Sequence, residues 1–186
     1  MHADADTLAR LDFARHAALE AQGFILKHFS TRGVRFDTKP DGSPVTVGDV
    51  GAEELVRDLI ARAWPADGII GEECGVHTGR SDYRWVIDPI DGTRSFIHGV
   101  PLFGTLIGVQ KRATPGDPRA LDGWRCVAGV VRCPALNEAA WAAVGAGAWH
   151  EWPVGGGGEL ATPRRIAVST TARLADASVS TTTPQA

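Results

Sequence analysis

The hydrophobic period of this chain changes once, at Pro65, and that change restricts the fold more than any single motif does. Before it, Leu11, Ala14, Ala18, Ala21, Ile25 and Phe29 recur at spacings of three and four, the period of a helix with one buried face. Gly33 is expected to end that helix. A second stripe, Ala52, Leu55, Val56, Leu59, Ile60 and Ala63, predicts another helix, with Asp49 as its N-cap or first-turn anion and Pro65 as its stop. Between them the polar segment 37–48 holds Lys39-Pro40-Asp41-Gly42 and Ser43-Pro44, residues of a turn-rich hairpin or mobile loop. After Pro65 the apolar runs are short and rich in β-branched and aromatic residues: 68–71, 84–88, 103–110 and 126–132. These predict buried strands, the last two forming an antiparallel ribbon around a surface connection at 113–124. Weaker strand candidates follow at 137–144, 148–152 and 164–168. Two helices and then a run of strands place the chain in the α+β class, a single domain over 1–186 with helices layered on a mainly antiparallel sheet. Residues 177–182 are strand-like, yet the chain stops at Ala186 with nothing to cover them, so its C-terminus is expected to lie mid-fold.

Charge and cysteine content exclude several function classes. Nineteen Lys and Arg against 22 Asp and Glu give a net charge of -3, spread along the chain, so no footprint for a nucleic acid polymer or an anionic membrane is expected. The apolar stretch 99–109 contains Pro101 and falls well short of the roughly 20 residues a bilayer helix needs. Acidic residues near the start, Asp4, Asp6 and Asp12, argue against a secretory leader. Three cysteines without a C-x-x-C argue against a disulfide framework and a thiolate zinc site, and the expected compartment is cytoplasmic.

Chemistry is concentrated where two predicted strands finish. Glu72 and Glu73 follow Ile69-Ile70, and Asp88 and Asp91 bracket Pro89-Ile90 after Trp85-Val86-Ile87. If those strands are neighbours, up to four negative charges gather at one sheet edge, where they repel unless a cation or protonation offsets them. Oxygen-only ligands favour a hard cation, Mg²⁺ rather than Zn²⁺ or copper. Pro89 is expected to end its strand and let Asp91 face the same point as Asp88. Taken singly, Asp-Pro and Asp-Gly read equally as turn dipeptides, and the Glu pair as a solvated strand end. The next residues add a second feature: Gly92-Thr93 opens a segment to Ile97 suited to a helix N-terminus, whose amides can cradle phosphate. Carboxylates that call for a metal beside an anion nest point to a phosphate ester. His98 reads equally as a substrate contact or a loop histidine bonded to nearby backbone, His77 as solvated, and Cys74 as structural filling. Trp85, Trp141 and Trp149 are expected in the core.

These residues resemble the inositol monophosphatase family of Mg²⁺-dependent phosphomonoesterases. The resemblance rests on Gly71-Glu72-Glu73, on Trp85-Val86-Ile87-Asp88-Pro89-Ile90-Asp91-Gly92-Thr93, and upstream on 39–49 with Glu53 beyond. It implies the layered α/β sandwich of that family. It also implies that Glu72 binds metal, Asp88 bridges two metals, the Ile90 carbonyl completes the first site and Asp91 binds the second. Thr93, polarised by Asp49, would orient the attacking water, and the Gly92 and Thr93 amides would hold the phosphate. Lys39 would lie on a loop within reach of carboxylates or phosphate. Segments 94–107 and 129–134 are most similar to the histidinol-phosphatase branch, which implies histidinol phosphate as substrate. Inositol monophosphate and a 3′-phosphoadenosine 5′-phosphate are the alternatives, and relatives of this kind are commonly homodimers. One departure matters: the family's second half supplies a Trp-Asp whose aspartate binds the second metal, and this sequence has no Trp-Asp. A non-catalytic fragment that binds a cation or a partner chain therefore stands as the rival reading.

Overall fold

A computed structural model describes residues 4–30, 32–154 and 160–178. Helix α1 (Ala5–His28) buries Leu11, Ala14, Ala18, Ala21 and Ile25, the stripe read from the sequence, and Ala17 with them. Helix α2 (Val47–Ala63) packs against α1 and buries Ala52, Val56 and Ile60 in the same core. Asp4 caps α1 by accepting from the Thr7 amide at 2.8 Å. The helix ends at His28, five residues before Gly33. Phe29 turns extended there because its ring packs against Phe96 and Phe103, with centroids 5.6 and 4.9 Å away. Gly33, at φ 89°, serves a separate turn closed by its amide on the Ser30 carbonyl. The start of α2 is a capping box: Thr46 is the N-cap and Asp49 sits at the third helical position.

The segment 37–48 begins as a small hairpin, β1 (Asp37–Thr38) paired with β2 (Pro44–Val45). The main sheet follows α2. Its strands are β3 (Gly68–Gly71), β4 (Val76–His77), β5 (Tyr83–Asp91), β6 (Gly104–Arg112), β7 (Trp124–Cys133), β8 (Glu138–Ala143), β9 (Gly147–Glu151) and β10 (Arg164–Ile166). They lie in the order β10-β9-β8-β7-β6-β5-β3-β4, antiparallel except for the parallel pair β3 and β5. The chain is thus α+β with helices on a mixed, mainly antiparallel sheet, as the sequence predicts. The strand-like run at 177–182 falls largely outside the described residues, and its described part, Ala177 and Ser178, carries no strand.

The pleat sends alternate residues to opposite faces. Tyr83, Trp85 and Ile87 of β5, Ile107 and Val109 of β6, and Val130 and Trp141 further along are buried beneath the helices. Trp149 is only partly buried against that core. On the opposite face Val86, Gly108, Gly129 and Ala142 stand in register across four strands, with Leu106 and Val131 beside them. That face is less covered, and Val131 is 45% exposed.

The helix layer is tied to the first end of β5 by a buried ion pair. Arg10 donates to Asp67 through two nitrogens, at 2.8 and 3.0 Å, and its guanidinium lies between the rings of Trp64 and Tyr83. Asp67 also accepts from Trp85 Nε1 at 3.0 Å and Ser81 Oγ at 2.6 Å. The Arg10 and Asp67 side chains are only 7% and 2% exposed.

Candidate active site

Because β3 and β5 run parallel and adjacent, their ends bring the two acidic segments together. Gly71 is in register with Ile87, and the Glu72 amide donates to the Ile87 carbonyl at 3.1 Å, so Glu72 and Asp88 leave neighbouring strands at one level. Pro89 does not end β5. The strand continues to Asp91 through an irregularity between Asp88 and Asp91, and the ladder resumes at Asp91 opposite Gly104. A proline lacks the amide for one rung, and a bulge accommodates that loss without breaking the strand. The Pro89 carbonyl is held by the Thr105 hydroxyl at 2.9 Å.

Gly92 then takes the left-handed conformation, φ 91°, and α3 (Thr93–Ile97) begins. Only glycine adopts that turn without strain, and the turn lets the chain leave the sheet within one residue. The Thr93 hydroxyl lies 3.1 Å from the Ile90 carbonyl and 3.3 Å from Asp49 Oδ1, positioned to donate to either. Asp49 is 1% exposed and accepts at Oδ2 from the Thr46 amide and hydroxyl. Burial pushes the Asp49 carboxyl above its ordinary range, against the lowering effect of its bonds to Thr46 and Thr93. The expected Asp49–Thr93 contact is therefore present, and one capping carboxylate serves both the start of α2 and the start of α3.

The electrostatics are unbalanced. Burial, reinforced by the negative charge and hydrogen bonding of Glu72 and by the charge of Asp91, pushes Asp88 up to about 7. Its Oδ1 is buried without a hydrogen-bond partner in the structure. Lys39, carried on the turn between β1 and β2, donates to Glu72 Oε1 at 2.9 Å and Glu73 Oε1 at 2.7 Å. Burial alone would lower the lysine, but Glu73 and Glu72 hold it well above its ordinary value. Burial raises Glu73 despite that partner. Glu72, Asp88 and Asp91 thus act on one another, whereas Glu73 turns away to Lys39. Among the described residues no three His, Cys, Asp or Glu side chains are gathered tightly enough to hold an ion as they stand. The donor set nonetheless fits a hard cation: carboxylates with no nitrogen or sulfur among them, an orphaned buried oxygen, and an excess of negative charge. Glu72, Asp91, Gly92 and Thr93 also line, with Ser43 and Pro44, an open cavity of about 270 Å³.

Other expectations resolve one by one. His98 is exposed and bonds through Nδ1 to the Arg94 carbonyl at 2.7 Å, the backbone-bonded alternative. His77 is exposed on β4. Cys74 is exposed rather than structural filling, because it follows the acidic pair into the turn between β3 and β4. Two residues take parts that the sequence does not assign them: Glu53, named above only within the resemblance, and Arg57. Glu53, 0% exposed, accepts from the Glu73 and Cys74 amides, and Arg57 donates to it at 2.6 Å. The spacing signals the pair: Asp49, Glu53 and Arg57 are four apart, on one helix face.

A helix-layered sheet whose parallel pair ends in interacting carboxylates defines the class, and comparison with known proteins gives the family. The family model of the inositol monophosphatase family matches residues 8–185, and the chain belongs to that family. It is 39% identical over 173 residues to a histidinol-phosphatase of Streptomyces coelicolor, covering 93% of this chain and 60% of that one. It is 40% identical over 152 residues to a histidinol-phosphatase of Mycobacterium tuberculosis, covering 82% and 52%. The fold matches the IMPase of Thermotoga maritima with a TM-score of 0.67 at 31% identity, covering 88% of this chain and 55% of that one. It matches an inositol monophosphatase from Anabaena with a TM-score of 0.64 at 28% identity, covering 90% and 52%. The chain therefore spans between about half and three-fifths of the length of these relatives. No described helix is long and apolar enough to cross a membrane.

Proposed function

We propose that the chain carries the metal-and-phosphate half of a phosphomonoesterase whose favoured substrate is histidinol phosphate. The observation that carries the reading is the buried, unpartnered Oδ1 of Asp88, on which the charges of Glu72 and Asp91 act, in the strand end that leads into Gly92 and Thr93. Glu72, Asp88, Asp91 and the Ile90 carbonyl would hold Mg²⁺, which supplies an acidified water and charge neutralisation for the leaving oxygen. The chain's own part is positional. Asp49 orients the Thr93 hydroxyl, and that hydroxyl directs a water toward the ester phosphorus. The Gly92 and Thr93 amides grip the phosphate oxygens, and Asp91 accepts a hydrogen bond from a substrate hydroxyl. Lys39 must release Glu72 before that carboxylate can take another cation. The substrate assignment is supported by the histidinol-phosphatase relatives. Cytoplasmic placement and homodimerisation complete the reading, with 1–186 as the N-terminal portion of one family domain and the remaining layers seated on the Val86–Val131 face.

The test is release of inorganic phosphate from histidinol phosphate, inositol monophosphate and 3′-phosphoadenosine 5′-phosphate, each with and without Mg²⁺. Fastest release from histidinol phosphate, abolished in Asp88→Asn, supports the reading; slowest release from it refutes the branch assignment. The absence of Trp-Asp favours a second reading, a cation-binding fragment without turnover. That reading predicts Mg²⁺ uptake without phosphate release from any of the three esters.

A further inference from the structure

We infer that Glu53 is a positioning residue for the Glu72 carboxylate, acting through the backbone of the turn that follows β3. The inference rests on the proposed Mg²⁺ site and adds a residue to it. Glu53 lies one helical turn after Asp49, so both side chains leave α2 toward the strand ends. Asp49 reaches Thr93; Glu53 reaches the other side of the site. Its Oε2 accepts from the Glu73 amide at 2.7 Å and its Oε1 from the Cys74 amide at 3.0 Å and from Arg57 Nε at 2.6 Å. Arg57 extends the grip by donating Nη2 to the Gly75 carbonyl.

A carboxylate that is 0% exposed is costly to bury, and an apolar residue would fill the same volume more favourably. What the carboxylate provides is specific. The amides it satisfies belong to the two residues directly after Glu72, while the Glu72 amide is itself fixed to the Ile87 carbonyl of β5. The backbone of Glu72 is therefore held on both sides, and its distance from Asp88 on β5 is set before any cation arrives. The side chain of Glu72 stays 43% exposed and keeps the freedom to exchange Lys39 for a metal. Glycine at 71 belongs to the same device, because a Cβ there would overlap the Glu53 carboxylate. Partners that orient a metal ligand without touching the metal typically change its affinity by about 10–100-fold when removed.

The experiment is Mg²⁺ calorimetry on the 186-residue chain, with amide hydrogen exchange read at Glu73 and Cys74. Wild type takes up Mg²⁺ if the proposed site is right; no uptake refutes that site and this inference with it. In Glu53→Gln the new amide nitrogen cannot accept from a backbone N–H or from Arg57. The remaining oxygen serves Cys74 and Arg57, so exchange at Glu73 accelerates, and Mg²⁺ affinity falls about 10–100-fold in a chain whose circular dichroism is native. Asp67→Asn, which disturbs an equally buried carboxylate far from the site, leaves the Mg²⁺ affinity of the folded chain unchanged, so a general loss of stability does not mimic the result. Arg57→Gln, at a partly exposed position, produces a smaller fall and covers the case in which Glu53→Gln does not fold. Native Glu53→Gln or Arg57→Gln with wild-type Mg²⁺ affinity overturns the positioning role while leaving the metal site standing.

Discussion

The two ends of β5 solve opposite problems with the same residue type. At the Tyr83 end, Asp67 is buried but every demand on it is met: two bonds from Arg10, one from the Trp85 indole and one from Ser81. Asp4, near the same end, accepts from Thr7, Tyr83 and Lys111. Partial burial would raise it, yet those donors bring it down to about 2. At the Asp91 end, Asp88 shares a half-buried position with Glu72 and Asp91, has an oxygen with no donor, and is pushed up to about 7. Folding pairs every buried charge at the first end, where among the described residues only the Trp64 indole N–H lacks a partner, and leaves the second short of positive charge. That asymmetry is what the proposed cation site requires, a group of carboxylates whose charge the fold itself leaves unanswered.

The comparison is broken most directly at the satisfied end. Asp67→Ala strands the buried Arg10 guanidinium between Trp64 and Tyr83, and unfolding free energy falls by about 3–5 kcal/mol in a urea titration. A loss under 1 kcal/mol would show that Arg10 finds water in its place. The opposite sign is expected at the other end. Asp88→Asn removes a charge the fold strains to hold, so the magnesium-free chain at pH 8 gains about 1–2 kcal/mol, discounted for the partial exposure of the site. With Mg²⁺ at the proposed site, wild type melts higher when the ion is added, and the same substitution abolishes that gain. For a carboxyl whose folded value, about 7, exceeds its unfolded value, the folded state binds the extra proton. Magnesium-free stability should therefore fall as pH rises from about 4 through 7 and level off above it. A thermal-melt series with and without Mg²⁺ reads both effects, and a flat magnesium-free profile would deny the strain at Asp88.

How much of this was legible in the sequence follows from range. The α1 and α2 stripes, the strands and the acidic strand ends are local patterns, and periodicity reads them directly. Helix α1 ends before the local stop signal at Gly33 because the three-ring packing of Phe29 with Phe96 and Phe103 overrides it. Pro89 reads as a terminator because the sequence shows the missing amide but not the bulge and the Thr105 hydroxyl that absorb it. Glu53 enters the sequence reading only through the resemblance and without a role, because its role lies in two amides about twenty residues away. The Asp49–Thr93 contact came only through family resemblance; spacing alone could not place residues 44 apart together.

The smallest effect sharpens the comparison at Asp4. Asp4→Asn keeps a residue able to cap α1, so the Thr7 amide remains satisfied, but it removes the charge that Lys111 and Tyr83 face. The folded value of Asp4, about 2, lies below its unfolded value near 3.8. Its stabilisation is thus complete above pH 4 and lost as pH falls through 2, the reverse of the Asp88 window. The side chain is 51% exposed, so screening limits the effect to a few tenths of a kcal/mol. Acid unfolding of Asp4→Asn should therefore show a slightly shallower stability loss between pH 4 and 2 than wild type, with the behaviour between pH 4 and 7 untouched. A change in that upper window instead would mean that the two ends of β5 are electrostatically coupled along the strand, and that the deficit at Asp88 is not a local property of the site.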